Sequence, residues 1–123
     1  MIQAIVNGQI FDGGSLKTHQ SVLISEGRIV DVVAHDQVPA DVGEVYDLEG
    51  GMLTPGFIDL QVNGYDGHDL NDGELTGDKV EALSEALCRV GVAAYLPTLI
   101  TAEESDLCLR LYAIQEAVKT LPY

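Results

Sequence analysis

The sequence predicts an α/β chain in which a small β domain leads into an incomplete α/β barrel. Three observations carry that expectation. Over residues 1–53, short apolar runs alternate with turn pairs such as Asn7-Gly8, Glu26-Gly27 and Gly50-Gly51, as successive short strands do. After Pro55 the pattern changes to strand, helix, strand, helix. Between the two regimes lies Thr54-Pro55-Gly56-Phe57-Ile58-Asp59-Leu60-Gln61-Val62-Asn63-Gly64. Its turn signal and near-continuous apolar run read as a strand buried on both faces.

In chain order, residues 1–11 predict a hairpin closed by Asn7-Gly8, with Ile2, Ala4 and Val6 on one arm and Gln9-Ile10-Phe11 on the other. His19–Ile24 and Arg28–Ala34 predict a second hairpin around Ser25-Glu26-Gly27. A polar loop containing Pro39 leads to a strand over Glu44–Leu48, giving four or five antiparallel strands in the first 50 residues. Beyond the central strand comes a Gly-, Asp- and Asn-rich loop over 64–77. A helix is expected from about Asp78 to Val90, with Val80, Leu83, Leu87 and Val90 on one face. Asp78 and Glu81 form its expected capping pair, and Gly91 falls at the C′ position. A strand over Val92–Leu99 should stop pairing at Pro97. Thr101-Ala102-Glu103-Glu104 spells a capping box for a second helix whose core face is Leu107, Leu111, Ile114 and Val118. The sequence ends at Leu121-Pro122-Tyr123, where a third strand is expected, so the barrel reads as truncated.

Bulk properties narrow the function. The 123 residues suffice for one domain with a core, whereas a closed eight-unit barrel takes about 250. A net charge of −14 with six Lys plus Arg speaks against nucleic-acid or membrane partners, which need a basic patch. There is no long apolar span and no signal-like N-terminus, so a cytoplasmic protein is expected. Cys88 and Cys108 match no zinc spacing and are expected as buried free thiols.

Candidate chemistry gathers after the central strand. The loop 65–74 is dense in oxygen ligands, but from Asp69 a calcium-loop register places Gly73 where an acidic or amide residue is needed. An Asx-turn loop is the expectation instead. His19 and His35 read as surface residues. His68 draws more interest because it follows the central strand. Gln61 and Asn63, one residue apart, share a face at the strand's carboxyl end, where barrel enzymes place their sites. On the residues alone, tying down a loop and serving a site are equally good accounts of these amides.

The run Leu53-Thr54-Pro55-Gly56-Phe57-Ile58-Asp59 after a short β domain resembles the amidohydrolase superfamily. There the first barrel strand usually ends in Asp-x-His-x-His, two histidines binding metal. Here the segment reads Asp59-Leu60-Gln61-Val62-Asn63. With Gly64, Gly67, Asn71-Asp72 and Tyr95-Leu96-Pro97-Thr98-Leu99-Ile100-Thr101, it is similar to the N-acetylglucosamine-6-phosphate deacetylases, in particular an enterobacterial-type branch with amides in place of the histidines.

That resemblance implies the N-terminal piece of a TIM-like barrel enzyme. Residues 1–53 would belong to a β-sandwich and residues 54–123 to the first two β/α units. It implies a small-molecule amino-sugar phosphate substrate. It also implies one divalent metal, zinc expected, held by ligands outside this chain, because a neutral amide is a poor substitute for imidazole. Gln61, Asn63, Gly64 and His68 would line the site, with no catalytic or metal-binding residue in the chain itself, which is therefore expected to be inactive. The unfinished sheet predicts a homo-oligomer or domain-swapped assembly. The rival readings are another amidohydrolase, dihydroorotase-like or a deaminase, and a non-catalytic binding or assembly protein on the same scaffold.

Overall fold

The computed structural model describes residues 1–121, and the chain divides into two units, Met1–Pro55 and Gly56–Tyr123. The first holds seven strands: β1 (Ile2–Val6), β2 (Gln9–Phe11), β3 (Leu16–Lys17), β4 (Gln20–Ser25), β5 (Arg28–Ala34), β6 (Glu44–Asp47) and β7 (Met52–Leu53). They form a four-stranded sheet, β5-β4-β1-β6, and a three-stranded sheet, β3-β2-β7.

The β4–β5 hairpin is as expected. Ser25 pairs with Arg28, and Glu26 and Gly27 take the two positive φ angles, 52° and 71°, that a two-residue turn of this kind requires. Asn7-Gly8 does not close a hairpin. β1 pairs antiparallel with β4 and parallel with β6, while β2 pairs antiparallel with β3 and parallel with β7. Asn7, at φ 55°, thus carries the chain from one sheet to the other, and the segment between β6 and β7 does the same alongside. The two crossings are stitched together: Gly50 N–H donates to the Asn7 carbonyl at 2.7 Å and Gln9 N–H to that of Gly51 at 2.9 Å. A Cβ on Gly8 would run into the Leu48 side chain and the Gly51 carbonyl, so the glycine is required by close approach. The all-antiparallel expectation of four or five strands therefore fails, because two pairings are parallel and join segments about 40 residues apart, beyond the reach of local turn signals. The core of this unit is Ala4, Ile10, Val22 and Leu23, with Ser21 buried beside them.

The second unit contains β8 (Phe57–Val62), a small hairpin of β9 (Gly64–Tyr65) and β10 (His68–Asp69), α1 (Gly77–Arg89), β11 (Val92–Pro97) and α2 (Glu104–Thr120). β8 and β11 pair in parallel with α1 between them in sequence, a β-α-β unit followed by a second helix. Val62, Leu70, Val80, Leu83, Leu87 and Ala117 make its core. Ser84 Oγ lies 2.8 Å from Tyr95 Oη and donates to the Val80 carbonyl at 2.9 Å, joining β11 to α1.

Several expectations are corrected. β8 is a strand but is not buried: Phe57, Ile58 and Leu60 are each about 70% exposed, and Val62 is the buried residue. The sheet has two strands, so each is an edge, and the apolar run meets too few neighbours to cover both faces. The cap of α1 is Thr76, whose hydroxyl accepts the Lys79 N–H at 3.4 Å, and not the Asp78–Glu81 pair. Val80, Leu83 and Leu87 are buried as expected, whereas Val90 is exposed beyond the helix end. Gly91, at φ 87°, donates its N–H to the Cys88 carbonyl and ends the helix as expected.

The Thr101 capping box is not formed; α2 starts after Glu103 with no side-chain cap. Its buried face is Ala113 and Ala117, with Leu107 and Ile114 half-buried and Leu111 and Val118 exposed. Small residues win because the helices approach closely: a Cβ on Gly77 would touch the Ala113 and Ala117 backbone. Cys88 and Cys108 are free but exposed, not buried. β11 ends at Pro97, where the proline is expected to stop the pairing, and the third strand expected at the C-terminus falls in part outside the described residues. Among the described residues no helix is long and apolar enough to cross a membrane.

Candidate active site

Pro97 pairs with Val62, so the carboxyl ends of β8 and β11 lie side by side, and Thr98 N–H continues the ladder to the Val62 carbonyl at 2.8 Å. Two loops leave from this end. The first is pinned at its start: Asn63 Nδ2 donates to the Thr98 carbonyl at 3.0 Å, and the Asn63 carbonyl accepts Leu70 N–H at 2.8 Å. Asn71 completes the stitch. Its Oδ1 accepts the Ile100 N–H at 2.8 Å, and its Nδ2 donates to the same Thr98 carbonyl at 3.4 Å.

The loop between these asparagines is ordered by turns, as expected for an Asx-rich segment. Asp66 and Gly67, at φ 50° and 84°, close the β9–β10 hairpin, in which Gly64 stands opposite Asp69 and Tyr65 opposite His68. Gly64 faces the His68 carbonyl so closely that no Cβ fits there. Asp69 Oδ1 accepts Asn71 N–H at 2.8 Å and Asp72 Oδ1 accepts Glu74 N–H at 3.1 Å, both Asx turns. Leu70, fully buried, anchors the loop in the core. Lys79 bonds Asp72 at 2.6 Å, and that contact, followed by the Glu74 N–H, holds the Asp72 carboxyl below its usual range.

Of the four sequence candidates, Asn63, Gly64 and His68 are thus brought together in one stitched loop. Gln61 stands apart from this network: it is exposed, and no side-chain hydrogen bond ties it among the described residues, although its backbone N–H donates to Asp59 Oδ1 at 3.0 Å. Sequence reasoning missed Asn71 and Thr98 as partners. Both lie in the motif stretches, but only the parallel register of β8 and β11 shows that their loops meet.

A metal fits these residues poorly. A neutral amide oxygen is a weak ligand, and among the described residues no three His, Cys, Asp or Glu side chains converge as a ligand set.

Residues 3–53 match the family model of the NagA composite domain. The chain is 33% identical over 108 residues to an N-acetylglucosamine-6-phosphate deacetylase of Haemophilus influenzae, an alignment covering 87% of this chain and 28% of that protein. The crystal structure of N-acetylglucosamine-6-phosphate deacetylase from Pasteurella multocida superposes with a TM-score of 0.91 at 26% identity, covering 99% of this chain and 32% of the other. A dihydroorotase of Shouchella clausii is 29% identical over 129 residues, covering all of this chain and 28% of that protein. Sequence and structure alike place the chain with proteins that carry the NagA composite domain. Within them it belongs to the N-acetylglucosamine-6-phosphate deacetylase family, of whose members it spans a little under one third.

Proposed function

We propose that the chain is part of a hydrolase that removes the acetyl group from N-acetylglucosamine 6-phosphate, giving glucosamine 6-phosphate and acetate. The observation that carries this is the similarity to deacetylases over nearly the whole chain, in sequence and in structure. In this reading residues 1–53 are a β-sandwich portion and residues 54–123 the opening of a TIM-like barrel. The carboxyl ends of β8 and β11 then contribute one sector of the site, with Gln61, Asn63, Gly64 and His68 on or near its lining. Gln61 is the member left free to meet a neutral polar group of a ligand.

A divalent metal, zinc by expectation, belongs to this activity. The described residues offer it no donor set. The chain alone is proposed to be inactive. Incubating the purified chain with N-acetylglucosamine 6-phosphate and zinc, and measuring acetate, tests this directly. Acetate above background refutes the inactivity. A second reading, a dihydroorotase-like hydrolase, draws on the match over the whole chain. The amides at Gln61 and Asn63 weigh against it, because the resemblance implies histidines at those positions in such enzymes.

A further inference from the structure

We propose that the two carboxamides at the end of β8 have divided roles, and that Asn71 is the positioning residue that enforces the division. This rests on the reading of the β8–β11 carboxyl end as part of the site. A carboxamide can serve a ligand only with atoms not already engaged. Asn63 gives its Nδ2 to the Thr98 carbonyl at 3.0 Å. That carbonyl stays in place because Asn71 grips the segment after it from two sides, accepting Ile100 N–H at 2.8 Å and donating to Thr98 at 3.4 Å. Asn71 is itself held by the Asp69 Asx turn and by the neighbouring Leu70, which is fully buried. The chain of contacts therefore runs from the core through Asn71 to Thr98 and on to Asn63. Gln61 lies outside it and keeps both amide atoms available.

Of the two Asn71 contacts, the one to Ile100 is the shorter, so the carbonyl half of its amide carries the grip. Aspartate keeps an oxygen there, whereas leucine keeps none. This separates positioning from mere bulk.

The test is amide hydrogen exchange, read by NMR on the chain without substrate, for the unaltered protein, Asn71→Asp and Asn71→Leu. Ile100 N–H is expected to lose protection about tenfold in Asn71→Leu, the scale of one net hydrogen bond, and to keep it within about threefold in Asn71→Asp. The Asn63 side-chain NH2 signals should exchange faster with solvent in Asn71→Leu, while those of Gln61, already free, do not change. Unaltered Ile100 protection in Asn71→Leu overturns the proposal, as does equal loss in both variants. Should Asn71→Leu fail to fold, Asn71→Asp decides alone: retained Ile100 protection supports the grip, and lost protection refutes it. Because no substrate enters the measurement, a failure of the deacetylase reading in an activity assay leaves these outcomes untouched.

Discussion

The Asn63 side chain and the Thr98 carbonyl, 35 residues apart in sequence, meet at 3.0 Å across the carboxyl ends of two parallel strands. Where the resemblance implies an imidazole bound to metal, this chain has an amide bound to its own backbone. The consequence for stability is unequal between the two amides. Asn63→Ala removes a part-buried bond and leaves the Thr98 carbonyl only the longer contact from Asn71, at a cost of about 1 kcal/mol. Gln61→Ala, exposed and untied, should change stability by less than about 0.5 kcal/mol. Urea denaturation of the two variants, followed by resolved NMR signals of the second unit such as the Tyr95 ring, measures the difference.

Helix capping supplies an independent check. Thr76 caps α1 through its hydroxyl, whereas Thr101 caps nothing. Thr76→Ala should destabilise by about 1 kcal/mol and Thr101→Ala by a few tenths at most, although sequence alone favours Thr101. Paired denaturation curves distinguish the two.

Acid should weaken a specific contact. The Asp72 carboxyl is held below its usual range, chiefly by Lys79. A folded-state value depressed below the unfolded one contributes stability that is complete above the unfolded value, about 3.9, and is lost as pH falls through the folded value. The stability difference between the unaltered chain and Asp72→Asn is therefore expected to be constant near neutrality and to shrink below about pH 4. Both partners are exposed, so the difference is small, and it should fall further in high salt. Thermal melts across pH measure it.

The open edges of β8 and β11 carry Phe57, Ile58, Leu60 and Leu96, all exposed. Edge strands of this kind template association, but a net charge of −14 opposes it. Self-association of the chain should therefore increase with ionic strength as the repulsion is screened. Sedimentation velocity from low to high salt measures this, and Leu60→Lys should suppress it.

What the sequence disclosed divides by range. Local signals held: Glu26-Gly27 closed its hairpin, Gly91 ended α1, and Val80, Leu83 and Leu87 faced the core. Non-local choices were not legible. Asn7-Gly8 has hairpin chemistry, yet parallel pairing with β6 and β7 sends its two flanks into different sheets. The apolar content of β8 suggested burial, but burial depends on how many neighbours a strand has. On α2 the leucine spacing pointed to one face, while close helix contact selected Ala113 and Ala117. At the candidate site, the strand-end amides were visible from spacing alone. That one is tied through its nitrogen and the other untied follows only from the register that brings Thr98 beside Val62.

Asn63 is tied to the Thr98 carbonyl and is expected to hold no metal. Titrating the purified chain with zinc, followed by calorimetry and by the Asn63 side-chain NMR signals, tests it most directly. Micromolar zinc is expected to leave those signals unmoved, with any heat the same in Asn63→Ala. Stoichiometric binding that shifts the Asn63 amide and disappears in Asn63→Ala would contradict it.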